Sequence, residues 1–116
     1  MKERSYLLFL HDILECIRLL QKYTKDRDFE NFTKDRAFQD AVLRRIEIIG
    51  EAVKHLPLKI RKEYDKIPWK QVAGIRDIFI HEYYRVNFKL AWEVATVEAP
   101  KLRRYILKMM KELKEK

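Results

Sequence analysis

Apolar residues recur at helical spacing almost from the start of the chain. Leu7, Leu10, Leu14, Ile17 and then Leu20 or Gln21 lie three or four apart, which predicts a helix over residues 3–24. The polar run Lys25-Asp26-Arg27-Asp28 ends it. Thr33 is placed to cap a second helix from about 34 to 55, through Ala41, Ile46, Ile49 and Val53, and Pro57 stops that helix. A short helix is expected at 58–65. Pro68 suits the first turn of the next helix, where a missing N–H costs nothing. That helix carries Val72, Ile75 and Phe79 and should end near Tyr84, with Ile78 or Ile80 also packing it onto the bundle. Asn87 then caps a long last helix through Leu90, Trp92, Val94 and Leu102 to Met110. Pro100 lies inside this pattern and should kink or break it just upstream. The expectation is one all-α domain over residues 1–116, an antiparallel up-and-down bundle of four main helices plus a short helix.

Composition agrees and narrows the partners. Of 116 residues, 47% are hydrophobic, enough for a core, and 38% are charged, while there are only two Gly and three Pro. Such a mixture favours helices over sheets. A net charge of +8 points to an anionic partner: nucleic acid, an acidic protein or an anionic membrane surface. Charge does not choose among them. No apolar run approaches the roughly 20 residues that cross a membrane. His11-Asp12 cut short the run Tyr6-Leu7-Leu8-Phe9-Leu10, which argues against a signal peptide. Cys16 is the one cysteine, so no intrachain disulfide forms; it sits among Leu14, Ile17 and Leu20 and reads as a small buried apolar residue in a protein of the reducing cytoplasm.

Both glycines fall inside predicted helices, where Gly costs up to about 1 kcal/mol against Ala. Close helix packing is the expected reason at Gly50. Gly74 precedes Arg76 by two residues and is read first as a packing position, with substrate access as the other option.

The chemistry gathers on the helix that follows Pro68. Arg76 and His81, with Tyr83 two residues further on, have the parts for phosphodiester cleavage without a metal. Histidine moves a proton near neutral pH, its unperturbed pKa being about 6.5. Arginine holds the charge that builds on phosphate oxygens. On spacing alone, a surface ion pair and a half-buried, satisfied imidazole are the commoner reading of the same two residues. At about 100° per residue, Arg76 and Tyr83 are nearly in line, whereas Arg76 and His81 are about 140° apart. They converge only through the length of the Arg side chain or through a second subunit. Asp77, four residues before His81, shares its face and could fix the imidazole tautomer, or could form a plain surface ion pair. If the phosphodiester is that of RNA, attack by its 2′-hydroxyl needs a base, an acid and charge stabilisation. One motif offers one His, so a two-fold homodimer apposing the motif helices would supply both proton-transfer groups. The products would be a 2′,3′-cyclic phosphate and a 5′-hydroxyl.

The run Ile67-Pro68-Trp69-Lys70-Gln71-Val72-Ala73-Gly74-Ile75-Arg76, then His81-Glu82-Tyr83-Tyr84-Arg85-Val86-Asn87, resembles the HepT-like branch of the HEPN superfamily. Ala41 to Ala52, Trp92-Glu93 and Pro100-Lys101-Leu102-Arg103 fit the same pattern, so the resemblance covers nearly the whole chain. It implies a helical, metal-free ribonuclease toxin that dimerises and is paired with a small nucleotidyltransferase antitoxin. It further implies that this partner can transfer AMP to the tyrosine of the motif, Tyr83. The family often has Gly after the His and Asp near position 87, where this chain has Glu82 and Asn87. Asn caps a helix about as well as Asp; Glu82 brings a carboxylate beside the proposed phosphate site.

The other histidines promise less. His11 is expected at the edge of the core, and His55 at a helix C-terminus, where a cation suits the dipole. The three histidines show no metal-ligand spacing, and no cofactor is called for. The Lys and Arg of 101–116 form a basic face, solvated by default and open to RNA as a second reading. Two function classes remain at this point: a ribonuclease toxin, and a non-catalytic helical module that partners a nucleotidyltransferase and orients its substrate.

Overall fold

The computed structural model describes residues 2–81 and 87–115, with side chains described for 6–78 and 87–114. The first helix, α1, spans Lys2–Thr24. Tyr6, Leu10, Ile13, Ile17 and Leu20 form its buried stripe. Asp26 takes a left-handed conformation (φ 59°), one of the few side chains that tolerates it, and turns the chain.

A helix α2, Phe29–Lys34, follows, where the hydrophobic pattern suggested only a break. Asp28 starts it: its carboxylate accepts from the Asn31 backbone N–H at 2.8 Å, and the Asn31 side chain accepts from the Asp28 N–H at 2.9 Å. Phe32, fully buried, pins α2 to the body. The next helix, α3, spans Arg36–Lys54 and is capped by Asp35, which accepts from the Phe38 N–H at 3.0 Å. Thr33 is therefore not the cap; its hydroxyl donates to the Glu30 carbonyl at 2.9 Å inside α2. The two aspartates supply charged acceptors at both helix starts, and the threonine is left to bond within its own turn.

His55 closes α3 and Pro57 starts the short α4, Leu58–Glu63. Helix α5 spans Trp69–His81. Helix α6, Phe88–Glu93, is capped by Asn87, whose side chain accepts from the Leu90 N–H at 3.0 Å. It runs through a π-helical segment, Val94–Glu98, into α7, Ala99–Glu115. The break expected upstream of Pro100 is this widened turn, in which the Ala99 N–H bonds back to the Val94 carbonyl. Pro100 has no N–H for an ordinary turn, and the wider turn accommodates it.

The architecture is all-α, with no strand among the described residues. Helix α3 lies between α1 and α5, and α1 also packs on α7. Phe9 of α1 stacks on His55, and Cys16 meets Arg45, so α1 and α3 run antiparallel. Leu10, Ile13, Ile17, Val42, Val53 and Ile106 are fully buried between these rods, each contributing about 1.5–3 kcal/mol by leaving water. Cys16 is buried as expected, and burial pushes its thiol pKa up. His11 is exposed rather than at the core edge. Among the described residues, no helix is long and apolar enough to cross a membrane.

Candidate active site on the edge helix

Helix α5 is fixed firmly at its start. Ile67 and Trp69 are buried, and the Trp69 indole N–H donates to the Tyr64 carbonyl at 3.0 Å. Beyond that anchor α5 packs chiefly against α3. Val72, Ala73 and Ile75 are only half-buried, and Ile78 is 46% exposed, so it does not pack the helix onto the bundle. Phe79 and Ile80 lie outside the residues whose side chains are described, as does the expected helix end near Tyr84.

The seam between α3 and α5 closes on Arg76. A Cβ added to Gly50 would collide with the Cβ of Arg76, so the glycine is what lets the two helices meet there. This is the close packing expected at Gly50. At Gly74 nothing described lies within 4 Å of the place a Cβ would take, so the packing role expected there is not seen.

The Arg76 side chain is 27% exposed and sits between two carboxylates. Its Nε is 3.0 Å from Glu51 Oε2, and its Nη1 donates to Asp77 Oδ1 at 3.3 Å. The Nε–H is buried but not aimed at the Glu51 oxygen, so that contact is an ion pair without a hydrogen bond. Lys54 Nζ donates to the same Asp77 oxygen at 2.7 Å. On the other side, Glu51 Oε1 lies 3.4 Å from His55 Nε2, and the His55 ring stacks on Phe9 with centroids 5.0 Å apart. A row of charges thus runs Lys54, Asp77, Arg76, Glu51, with the His55 ring at its end. The hydrogen bond from Lys54, and then that from Arg76, hold the Asp77 carboxyl below its usual range.

Of the residues picked from sequence, Arg76 and Asp77 come together. Asp77 spends one oxygen on Lys54 and Arg76. His81 is the last described residue of α5, with its side chain outside the description; Glu82 and Tyr83 lie outside the described residues altogether. Glu51 and Lys54 escaped the sequence reading, although a helical glycine at 50 is a signal that its neighbour meets another helix. Beside Arg76 opens a cleft of about 280 Å³ whose lining includes Phe9, Arg44, Glu47, Glu51 and His55. A second cleft, of about 230 Å³ between α3, α5 and α7, is mostly apolar and lies on a different face of α3. Among the described residues, no three His, Cys, Asp or Glu side chains gather as metal ligands. What the arrangement offers is a positioned guanidinium on a helix whose flank at Gly74 and Ile78 is open among the described residues.

The comparison with known families decides the lineage. The model of the "Ribonuclease HepT-like" family matches residues 13–109. The chain belongs to the HepT-like ribonuclease family. It is 50% identical over 106 residues to a "gamma-glutamylcyclotransferase and putative RNase" of Methanocaldococcus jannaschii, a match covering 91% of this chain and 48% of that protein. The chain thus spans about half the length of that relative. A "putative RNase" of the same organism is 42% identical over 116 residues, covering 100% of both chains. A "probable ribonuclease HepT" of Thermococcus cleftensis is 37% identical over 109 residues, 94% of this chain and 99% of its own. No solved structure matches the chain. The family resemblance of the sequence motifs and the helical fold expected from them are both upheld.

Proposed function

We propose that this chain is an endoribonuclease that cleaves RNA by 2′-hydroxyl attack without a metal. In this reading it acts in the cytoplasm as a homodimer and is the toxin of a pair whose antitoxin is a nucleotidyltransferase. One His81 removes the 2′-hydroxyl proton; the 2′-oxygen attacks phosphorus. The 5′-oxygen leaves with a proton from the His81 of the second subunit. Arg76 holds the charge on the phosphate oxygens. The nucleotidyltransferase transfers AMP to Tyr83, adding bulk and negative charge beside Arg76 and blocking the RNA phosphate.

The observation that carries this reading is Arg76 itself. The family's motif arginine is locked by the Gly50 contact, yet it stays partly open to solvent. The unfilled flank supports a second copy: Ile78 is 46% exposed, and a Cβ at Gly74 would meet open space among the described residues.

Cleavage of RNA in excess EDTA tests the chemistry, with end-group analysis of the products. The expected ends are a 2′,3′-cyclic phosphate and a 5′-hydroxyl. Cleavage that requires an added divalent ion overturns the mechanism. Sedimentation showing a fully active monomer overturns the dimer. Mass spectrometry after co-expression with a cognate nucleotidyltransferase should find AMP on the Tyr83 peptide; a mark on Tyr84 overturns that assignment.

A further inference from the structure

The cleft beside Arg76 has a use that phosphate chemistry does not absorb. Its wall carries Asp12, Glu47 and Glu51 against Arg44 and Arg76. Three carboxylates make it a poor seat for a second phosphate. Its floor is aromatic: Phe9 and His55 lie nearly parallel, with an interplanar angle of 11°, and the His55 side chain is 53% exposed. A platform already stacked loses little freedom when a third flat ring is laid on it. Base–aromatic stacking is a general device for holding single-stranded RNA.

The polar groups at the rim select among bases. Glu51 is flanked by Arg76 and His55, whose nitrogens lie 3.0 and 3.4 Å from its two oxygens and crowd its approach. Glu47 is different: one oxygen meets the exposed Arg44 at 3.2 Å, and Asp12 has no hydrogen bond among the described residues. These carboxylates accept and do not donate. Guanine is the RNA base that offers two neighbouring donors, N1–H and N2–H, on one edge, and Glu47 can take both, one on its second oxygen and one on the remaining lone pair of the oxygen that Arg44 bonds.

We propose that this cleft is a nucleobase subsite of the ribonuclease, one that stacks a guanine on Phe9 and His55 and reads its edge with Glu47, next to the phosphate held by Arg76. The assignment rests on the ribonuclease reading for its purpose, and on the cleft alone for its binding.

The test separates the two. The full-length protein is titrated with GMP, AMP, CMP and UMP while the imidazole signals of His55 are followed by NMR. GMP should move them saturably and bind at least about tenfold more tightly than the other three. Glu47→Gln, a change at a half-exposed position, should erase that preference, and Phe9→Leu should weaken all binding to the site. Sequencing of cleaved RNA ends should then show guanine enriched at one fixed position relative to the cut. Equal binding of all four nucleotides, or a preference untouched by Glu47→Gln, overturns the guanine assignment. His55 signals that stay still with every nucleotide, in a preparation that cuts RNA, overturn the subsite and leave the ribonuclease standing. Selective GMP binding by a protein that cuts nothing supports the subsite and sinks the catalytic reading instead.

Discussion

Two corners of this protein are built on opposite principles. Where α2 meets α3 and α6, Phe32 sits fully buried among Phe38, Phe88 and Trp92. Its ring lies edge-on to Phe38 at 5.3 Å and to Phe88 at 5.7 Å. Arg27 covers the outside, 3.8 Å above the Phe38 ring, and the buried Gln39 amide satisfies the Phe32 carbonyl at 2.8 Å. Phe32 itself keeps no exposed surface. Around Arg76, on the outer side of the α3–α5 seam, the polar contacts are ion pairs among side chains that remain partly in solvent. Such pairs contribute little to stability. The first corner holds the protein together; the second holds a guanidinium in place. A region whose order brings so little stability is where chemistry is to be sought.

Phe32→Ala tests the first half of that contrast and should have the largest effect. A buried Phe-to-Ala change costs about 3–5 kcal/mol. Chemical denaturation should show that loss, while any protein still folded keeps its cleavage chemistry. Gly50→Ala comes next, and it strikes the second corner. The added methyl meets the Arg76 Cβ, which cannot swing away as a side-chain tip would. Overpacking of this kind costs about 1–3 kcal/mol. Displacing Arg76 should also slow RNA cleavage, by up to about 10²-fold for a shift near 1 Å. Gly74→Ala is the contrasting change on the same helix. Among the described residues its Cβ would meet open space, so in the monomer it should raise stability by about 0.5–1 kcal/mol in urea denaturation, whereas in a dimer the second copy can meet the methyl. A loss of stability there would mean that a neighbour occupies that flank.

The smallest effect is the response to acid. Asp77 has its pKa depressed by hydrogen bonds from Lys54 and then Arg76, and Asp35 by those from Arg27 and the Phe38 N–H. A depressed carboxylate stabilises the fold above its unfolded pKa of about 3.9, and that contribution disappears as pH falls through the folded value below it. Asp77→Asn should therefore lower the urea midpoint at pH 7 and make progressively less difference below pH ~4. A difference that grew on acidification would contradict the ion-pair row.

Much of this was legible in the sequence. The period of apolar residues located α1, α3, α5 and the α6–α7 rod, and Pro57, Pro68, Asn87 and Pro100 marked their ends. What failed, failed for local reasons. Leu7 and Leu14 were taken into the buried stripe of α1, which turned that stripe toward His11; the core follows Tyr6, Leu10 and Ile13 instead. Helix α2 was missed because six residues are too few to show a period, and its evidence is the Asp28–Asn31 box. In the site, Arg76 and Asp77 could be picked from one helix. Glu51 could not, because its pairing with Arg76 depends on how α3 and α5 are rotated against each other, which no single-helix pattern contains.

A guanidinium held for chemistry and not for the fold can be removed from Arg76 with loss of rate and without loss of stability. The direct measurement is RNA cleavage in excess EDTA by the wild type and Arg76→Ala, with the unfolding midpoint of each. The expected loss is about 10²–10³ in rate with the midpoint nearly unchanged. Cleavage at the wild-type rate by the folded variant, or a rate loss that merely tracks unfolding, would contradict it.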